Sequence, residues 1–191
     1  MPGAAVRGNL PGYTSTLGVQ VRRNLSASQR GLLEIDWALF GELCRALALR
    51  VAQHYDPDLV IGIAKAGVIP GAVVASIIER EFAAMAVTRR GTEVMPELVS
   101  GPPVGVAGRR VLIVDETCDT GHTLKLALNE VQALGPAEVR TAVSIRTGPY
   151  DPDFYALETD KLIVLPWDRE TVVDGDLVVR PDLATYLAGE G

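Results

Sequence analysis

Val111-Leu-Ile-Val-Asp-Glu-Thr-Cys-Asp-Thr-Gly-His-Thr-Leu124 carries more structural information than any other part of this 191-residue chain. Four branched apolar residues in a row, 111–114, predict a strand buried on both faces. Two adjacent acids follow at its carboxyl end. A short Thr/Gly segment comes next. Apolar residues Leu124, Ala127, Leu128, Val131 and Leu134 then recur at helical spacing, which predicts a helix over 123–134, stopped by Gly135-Pro136. In open α/β sheets, ligands bind at the carboxyl ends of strands. A helix start preceded by Thr and Gly offers backbone N–H groups and hydroxyls that suit a phosphate. Adjacent carboxylates there would repel a phosphate unless they face something else. They accept hydrogen bonds from sugar hydroxyls, or help to hold a divalent cation. The stretch therefore reads as a sugar-phosphate site, with acids for the sugar and the Thr/Gly cradle for its phosphate.

Working outward, the same alternation of strand and helix continues. Trp37, Phe40, Leu43, Cys44, Leu47 and Val51 predict an amphipathic helix over 36–54 with Asp36 near its start. Tyr55-Asp-Pro-Asp58 is a turn. Leu59-Val-Ile-Gly-Ile-Ala64 reads as a second buried strand, 67–79 as a helix and 82–88 as a strand. Strands are also expected over 138–145 and 161–165. Residues 89–108 hold three prolines and four glycines with no period, so they read as a functional or disordered loop. Residues 1–31 form an irregular amino-terminal arm and 32–191 one domain. The class is α/β, with a mainly parallel five-stranded sheet flanked by helices.

Composition excludes several alternatives. At 48% hydrophobic, the chain is no disordered protein. Its apolar stretches fall short of the roughly 18–20 residues that a membrane span needs. No basic start leads into an apolar leader. Cys44 and Cys118 lie too far apart for a zinc pattern and are too few for a disulfide framework, so a reducing cytoplasm is the expected setting. With His54 and His122 alone, a histidine-rich metal site is impossible. Residues 1–33 carry four arginines and no acid, while the rest holds 14 basic and 24 acidic side chains. That acidic body argues against a nucleic-acid surface. The basic arm is either a solvated extension or a segment that docks on a partner subunit.

The quoted segment, four branched residues, two acids and then Thr-Gly-x-Thr-Leu, resembles the phosphoribosyl diphosphate (PRPP) motif of the type I phosphoribosyltransferases. The resemblance spans roughly residues 32–170. It implies that Asp115, Glu116, Thr117, Cys118, Asp119, Thr120, Gly121, His122 and Thr123 surround the ribose and 5′-phosphate, with Cys118 and His122 read as spacers or more. Ile61-Gly-Ile-Ala-Lys-Ala-Gly67 looks like the family's pyrophosphate loop. There Ala64, Lys65, Ala66 and Gly67 would meet the leaving group, and a cis bond is implied between Ala64 and Lys65. Segment 89–108 matches the family's mobile loop, and Arg89 and Arg90 at its start would reach pyrophosphate. Thr159-Asp-Lys-Leu-Ile-Val-Leu-Pro-Trp-Asp168 is similar to the base-binding hood of the branch that uses hypoxanthine, guanine or xanthine. On that likeness Leu162 stacks on the purine, Ile163 offers backbone groups, and Trp167 packs rather than stacks. Mg2+ is the implied cofactor, held by Asp115, Glu116 and Asp168, partly through water or PRPP.

By the same resemblance, Asp119 is the catalytic residue, a proton acceptor facing N7 of the base. The chain departs from the family at three points. Glu116 stands where many members have Asp, Leu162 where an aromatic is common, and Ser144-Ile-Arg-Thr-Gly148 where a lysine usually donates to the base, leaving Arg146 as a substitute donor. The implied function is transfer of ribose 5-phosphate from PRPP to a purine base, in a homo-oligomer. Two alternatives remain: a PRPP-binding regulator without turnover, and a transferase for another acceptor.

Overall fold

A computed structural model describes residues 31–88, 95–102 and 105–188, with side chains through 184. The strands are β1 (Leu32–Glu34), β2 (Leu59–Ala64), β3 (Glu81–Thr88), β4 (Glu97–Ser100), β5 (Arg110–Cys118), β6 (Glu138–Arg146), β7 (Phe154–Glu158), β8 (Leu162–Val164), β9 (Glu170–Val173) and β10 (Asp176–Val179). The helices are α1 (Trp37–His54), α2 (Val68–Ile77), α3 (His122–Gln132) and α4 (Pro181–Ala188). Six strands form one sheet in the order β4-β3-β2-β5-β6-β7. All neighbours in it are parallel except β3 and β4.

The run of branched residues in β2 and β5 does what it should in a doubly covered sheet. Leu59, Ile61 and Ile63 point to one face with Val111, Ile113 and Val143, where Leu124, Ala127 and Val131 of α3 cover them. Val60, Leu112, Val114 and Ala142 point to the other, under Leu47, Ala48 and Val51 of α1 and Val74 and Ala75 of α2. Each of these side chains is at most 3% exposed, and burying one Val, Leu or Ile contributes about 1.5–3 kcal/mol. The Asp36 side chain caps α1 by accepting the Leu39 N–H at 2.7 Å.

From β2 the chain passes through α2 to β3 on one side, and β5 then returns to the other side of β2. Helices α2 and α3 consequently lie on opposite faces. The crevice between the carboxyl ends of β2 and β5 is thus the topological switch point, where such sheets open a ligand cleft.

Three expectations about elements need correction. The fifth parallel strand is β7, not 161–165. Its Phe154 is buried but Tyr155, Ala156 and Leu157 are only half-buried, so as the sheet's edge it lacks a strong apolar run. The 161–165 run instead forms β8, which pairs in parallel with β1 in a separate two-stranded sheet, Leu32 opposite Leu162 and Glu34 opposite Val164. Within 89–108, residues 97–100 add an antiparallel edge strand to β3, exposed along its length and therefore without a burial pattern to read. Finally, β5 continues past its apolar run to Cys118, so Asp115, Glu116 and Thr117 stand on the strand itself rather than in a loop.

The small β1–β8 sheet sits over the carboxyl end of the main one. Ile35, Phe40, Leu43, Leu165 and Ile145 form a third buried cluster, with Ile69, Leu157, Ile163 and Trp167 around it. Beyond it, β9 and β10 make an antiparallel hairpin.

Candidate active site

At the switch point the ends of β2 and β5 enclose a polar cavity of about 250 Å3. Ala64, Lys65, Asp115, Glu116, Thr117 and Thr123 line it, together with Ile63 and Val87. Two motifs some fifty residues apart in sequence therefore share one space. The Ala64–Lys65 bond is cis, as the resemblance implied. Lys65 is exposed and Asp115 is buried. One Asp115 oxygen accepts the N–H of Glu116 at 3.0 Å. The turn after β2 can lie this close to Asp115 only because Gly67 has no side chain: a Cβ there would stand 2.6 Å from Asp115 Oδ1 and 2.7 Å from the Ile63 carbonyl oxygen.

Beyond β5 the chain turns through Asp119 and Thr120, both exposed, into α3. Gly121 starts the helix with φ +76°, a left-handed conformation that other residues rarely adopt. A Cβ on it would also meet the ring of Tyr150. Among the described residues no side chain caps this helix start. Its first turn, with Thr123 of the cavity lining, lies at the carboxyl end of β5. Thr120 Oγ1 lies 3.3 Å from His122 Nδ1. Cys118 is buried, and burial, reinforced by the charges of Asp115 and Asp119, pushes its thiol up to about 11. It stays protonated at neutral pH and is no nucleophile.

Asp168 is half-buried beyond β8, its N–H donating to the Leu165 carbonyl at 2.9 Å. Burial foremost raises its carboxyl above the usual range. Arg180, with Nη1 3.8 Å away, opposes this, and the negative charges of Glu116 and Asp182 add to it. Asp168 therefore feels Glu116 of β5, some fifty positions away in the chain. Leu162 is 39% exposed, whereas Trp167 packs inward, edge-on to Phe40 at 5.0 Å and tilted on Trp37 at 5.6 Å. In β8, the Leu162 N–H donates to Gly31 and the Val164 carbonyl accepts from Ile35, so both face β1. By strand alternation, the N–H and C=O of Ile163 point away from β1.

Arg146, at the end of β6, is engaged. Its Nη1 lies 2.9 Å from Asp151 Oδ1 and 3.8 Å from Glu158 Oε1, and its Nε donates to the Gly148 carbonyl at 3.3 Å. Arg89 and Arg90 lie outside the described residues. Sequence reasoning missed the 147–150 connection. Thr147 donates its N–H to the Cys118 carbonyl at 2.8 Å, and Tyr150 its N–H to the Asp119 carbonyl at 3.2 Å. Only the Gly-Pro turn signal marked this connection, and a turn signal says nothing about what the turn rests on.

Comparison with known proteins agrees with this geometry. The chain is 26% identical over 113 residues to the hypoxanthine-guanine phosphoribosyltransferase of Schizosaccharomyces pombe, a match covering 48% of this chain and 55% of that protein. It is 38% identical over 77 residues to bifunctional protein PyrR of Ralstonia nicotianae, covering 36% and 44%. The chain thus spans about half the length of these curated relatives. Among solved structures, the purine phosphoribosyltransferase of Pyrococcus horikoshii superposes with a TM-score of 0.66 at 28% identity, covering 75% of this chain and 98% of that one. Residues 35–175 carry the sequence pattern of the phosphoribosyl transferase domain, and since they include both halves of the cleft and the hood above it, the chain belongs to that family.

Proposed function

We propose that this chain is a purine phosphoribosyltransferase that moves ribose 5-phosphate from PRPP to a 6-oxopurine in the cytoplasm. The observation that carries the reading is the shared cavity between the Ala64–Gly67 turn and the acids of β5. It offers a cation and backbone amides to a diphosphate, carboxylates to ribose hydroxyls, and the start of α3 to a 5′-phosphate. The 28% identity to a purine enzyme over nearly all of that enzyme's length supports a purine acceptor, and the local identity to a hypoxanthine-guanine enzyme supports a 6-oxopurine.

In the reaction the bond from ribose C1 to the diphosphate breaks, a bond from C1 to a ring nitrogen forms, and the base loses a proton. Lys65 and the turn amides would hold the departing diphosphate. Asp115 and Glu116 would fix the ribose while its ring carries positive charge. Asp119 would take the proton from the base. Leu162 would cover the purine face and Ile163 would meet its edge with backbone groups.

Among the described residues no three ligating side chains converge on one point. Mg2+ commonly takes one or two carboxylates and completes its shell with water and substrate oxygens. Asp115 and Glu116, adjacent on β5, would supply those carboxylates, and Asp168 would reach the ion through water. When bound, the ion would neutralise the leaving diphosphate.

A second reading, a PRPP-binding protein without turnover, is kept because one locally similar relative, bifunctional protein PyrR, has by its name a second role. One experiment separates the two. With PRPP and Mg2+, the chain is offered hypoxanthine, guanine, xanthine, adenine, orotate and uracil in turn. Steady pyrophosphate release with a 6-oxopurine is expected. Release with a pyrimidine alone would replace the acceptor, and PRPP binding with no release from any base would favour the second reading.

A further inference from the structure

Asp119 is an exposed aspartate on a short turn, and a carboxylate in that position would ordinarily sample several rotamers. A proton acceptor needs one. The connection after β6 supplies what the turn itself lacks. Cys118 receives both the N–H and the hydroxyl of Thr147, at 2.8 and 3.3 Å, on its carbonyl oxygen. The Asp119 carbonyl receives the Tyr150 N–H. Between these two ties lies Gly148, which is buried. The space its Cβ would fill is taken by the Asp119 carboxylate and carbonyl. The carboxylate therefore rests directly on the Gly148 backbone, a contact closed to every residue with a side chain.

Arg146 holds that backbone in turn. One guanidinium reaches the Gly148 carbonyl through Nε and Asp151 through Nη1, on either side of the Gly148-Pro149-Tyr150 corner. Glu158 links it to β7, and its Cζ lies 5.5 Å from the centroid of the Tyr155 ring. Its side chain is only 16% exposed. A planar fork with five donors suits a clamp that joins several acceptors. Its Nε and Nη1 donors are thereby committed to the corner and to β7.

We propose that Arg146 and Gly148 are positioning residues for Asp119: the corner after β6 is the rest on which the carboxylate is seated, and Arg146 clamps that corner instead of binding the base. This assignment rests on the reading of Asp119 as proton acceptor, and the test keeps the two apart.

Steady-state kinetics would be measured on the full chain and on Gly148→Ala, Arg146→Met, Asp119→Asn and the doubles Asp119→Asn/Gly148→Ala and Asp119→Asn/Arg146→Met, each checked by thermal melting. A misplacement of about 1 Å can cost about 10²-fold in rate. Gly148→Ala should therefore lower kcat by about 10- to 100-fold and Arg146→Met by about tenfold, with KM for the base and for PRPP within about threefold of the parent. In the Asp119→Asn background, either change should cost less than about twofold more, because the group it misplaces is already gone. Three results would overturn the assignment. A base KM that rises about tenfold with kcat kept in Arg146→Met makes Arg146 a base ligand. Losses that multiply in the doubles mean that the corner acts without Asp119. Asp119→Asn at parental turnover removes the proton acceptor itself, and this assignment with it. Should Gly148→Ala fail to fold, Arg146→Met and its double, which add no atoms to the corner, carry the same comparison.

Discussion

The two ends of the central sheet handle charge in opposite ways. At the amino ends of β2, β3 and β5, acids alternate with arginines. Asp56 lies 2.7 Å from Arg80 and 3.0 Å from Arg110, Asp58 3.0 Å from Arg110, and Glu81 2.7 Å from Arg109. Asp58 also accepts the Arg110 backbone N–H at 2.8 Å. Hydrogen bonding to Arg110 holds its carboxyl down, at about 2. Around the carboxyl end of β5 acidic groups act on one another instead, although Arg146 and Arg180 pair with acids nearby. Asp168 is pushed up by burial and by Glu116, and Cys118 by burial and by Asp115 and Asp119. One end uses charge to pin three strands together. The other gathers negative charge, which on the proposed function a cation and a bound substrate would complete.

That contrast can be broken by removing acids from each end in turn. The largest effect is expected at the carboxyl end. Asp119→Asn should lower turnover by at least about tenfold, toward the 10²–10⁴ typical of a lost general base, with little change in PRPP affinity and none in melting temperature. Equal loss of stability and activity would make Asp119 a structural residue. Next, Asp168→Asn should lower Mg2+-dependent turnover several-fold while leaving the metal-free melting temperature unchanged or higher, since a neutral amide relieves a half-buried charge beside other acids. A clear drop in melting temperature would show that the crowding has been misread.

At the amino end the outcome should invert. Asp58→Asn should keep turnover and lower the melting temperature at pH 7 by a few degrees. The sign follows from a depressed pKa: the ionised form is the one favoured by folding, so its contribution is present above the ordinary value of 3.8 and fades as pH falls through about 2. The gap between parent and variant should close over that window, and a gap that persists at pH 2 would assign the effect to something other than charge. The smallest effect belongs to the hood. Leu162→Phe should lower KM for a 6-oxopurine by about 2- to 10-fold, the worth of one aromatic contact, and leave KM for PRPP alone.

The apolar runs of β2 and β5 and the helical spacing of α1 and α3 were legible because a strand covered on both faces, or a helix covered on one, writes its burial into the residue order. Asp115 and Glu116 were legible as adjacent acids at the carboxyl end of a buried strand, and Lys65 and Gly67 through the resemblance of 61–67 to a family loop. Less legible was β7, whose weak edge pattern lost to the stronger run of β8. That run owes its apolar character to the hood, where Val164 is buried and Ile163 packs between α1 and the sheet.

What the sequence determined by itself is therefore the α/β class and the strand, acids and Thr/Gly segment of 111–124, which follow from local periodicity and local chemistry, while 61–67 is read through its resemblance to a family loop. What only the tertiary structure decided is how the distant pieces touch: β8 paired with β1, Gly67 pressed against Asp115, Asp168 in the field of Glu116, and Gly148 beneath Asp119. Such contacts join segments separated by tens of residues, and they are fixed by strand order and by the room a missing side chain leaves. Neither quantity has a period that a chain can display along its own length.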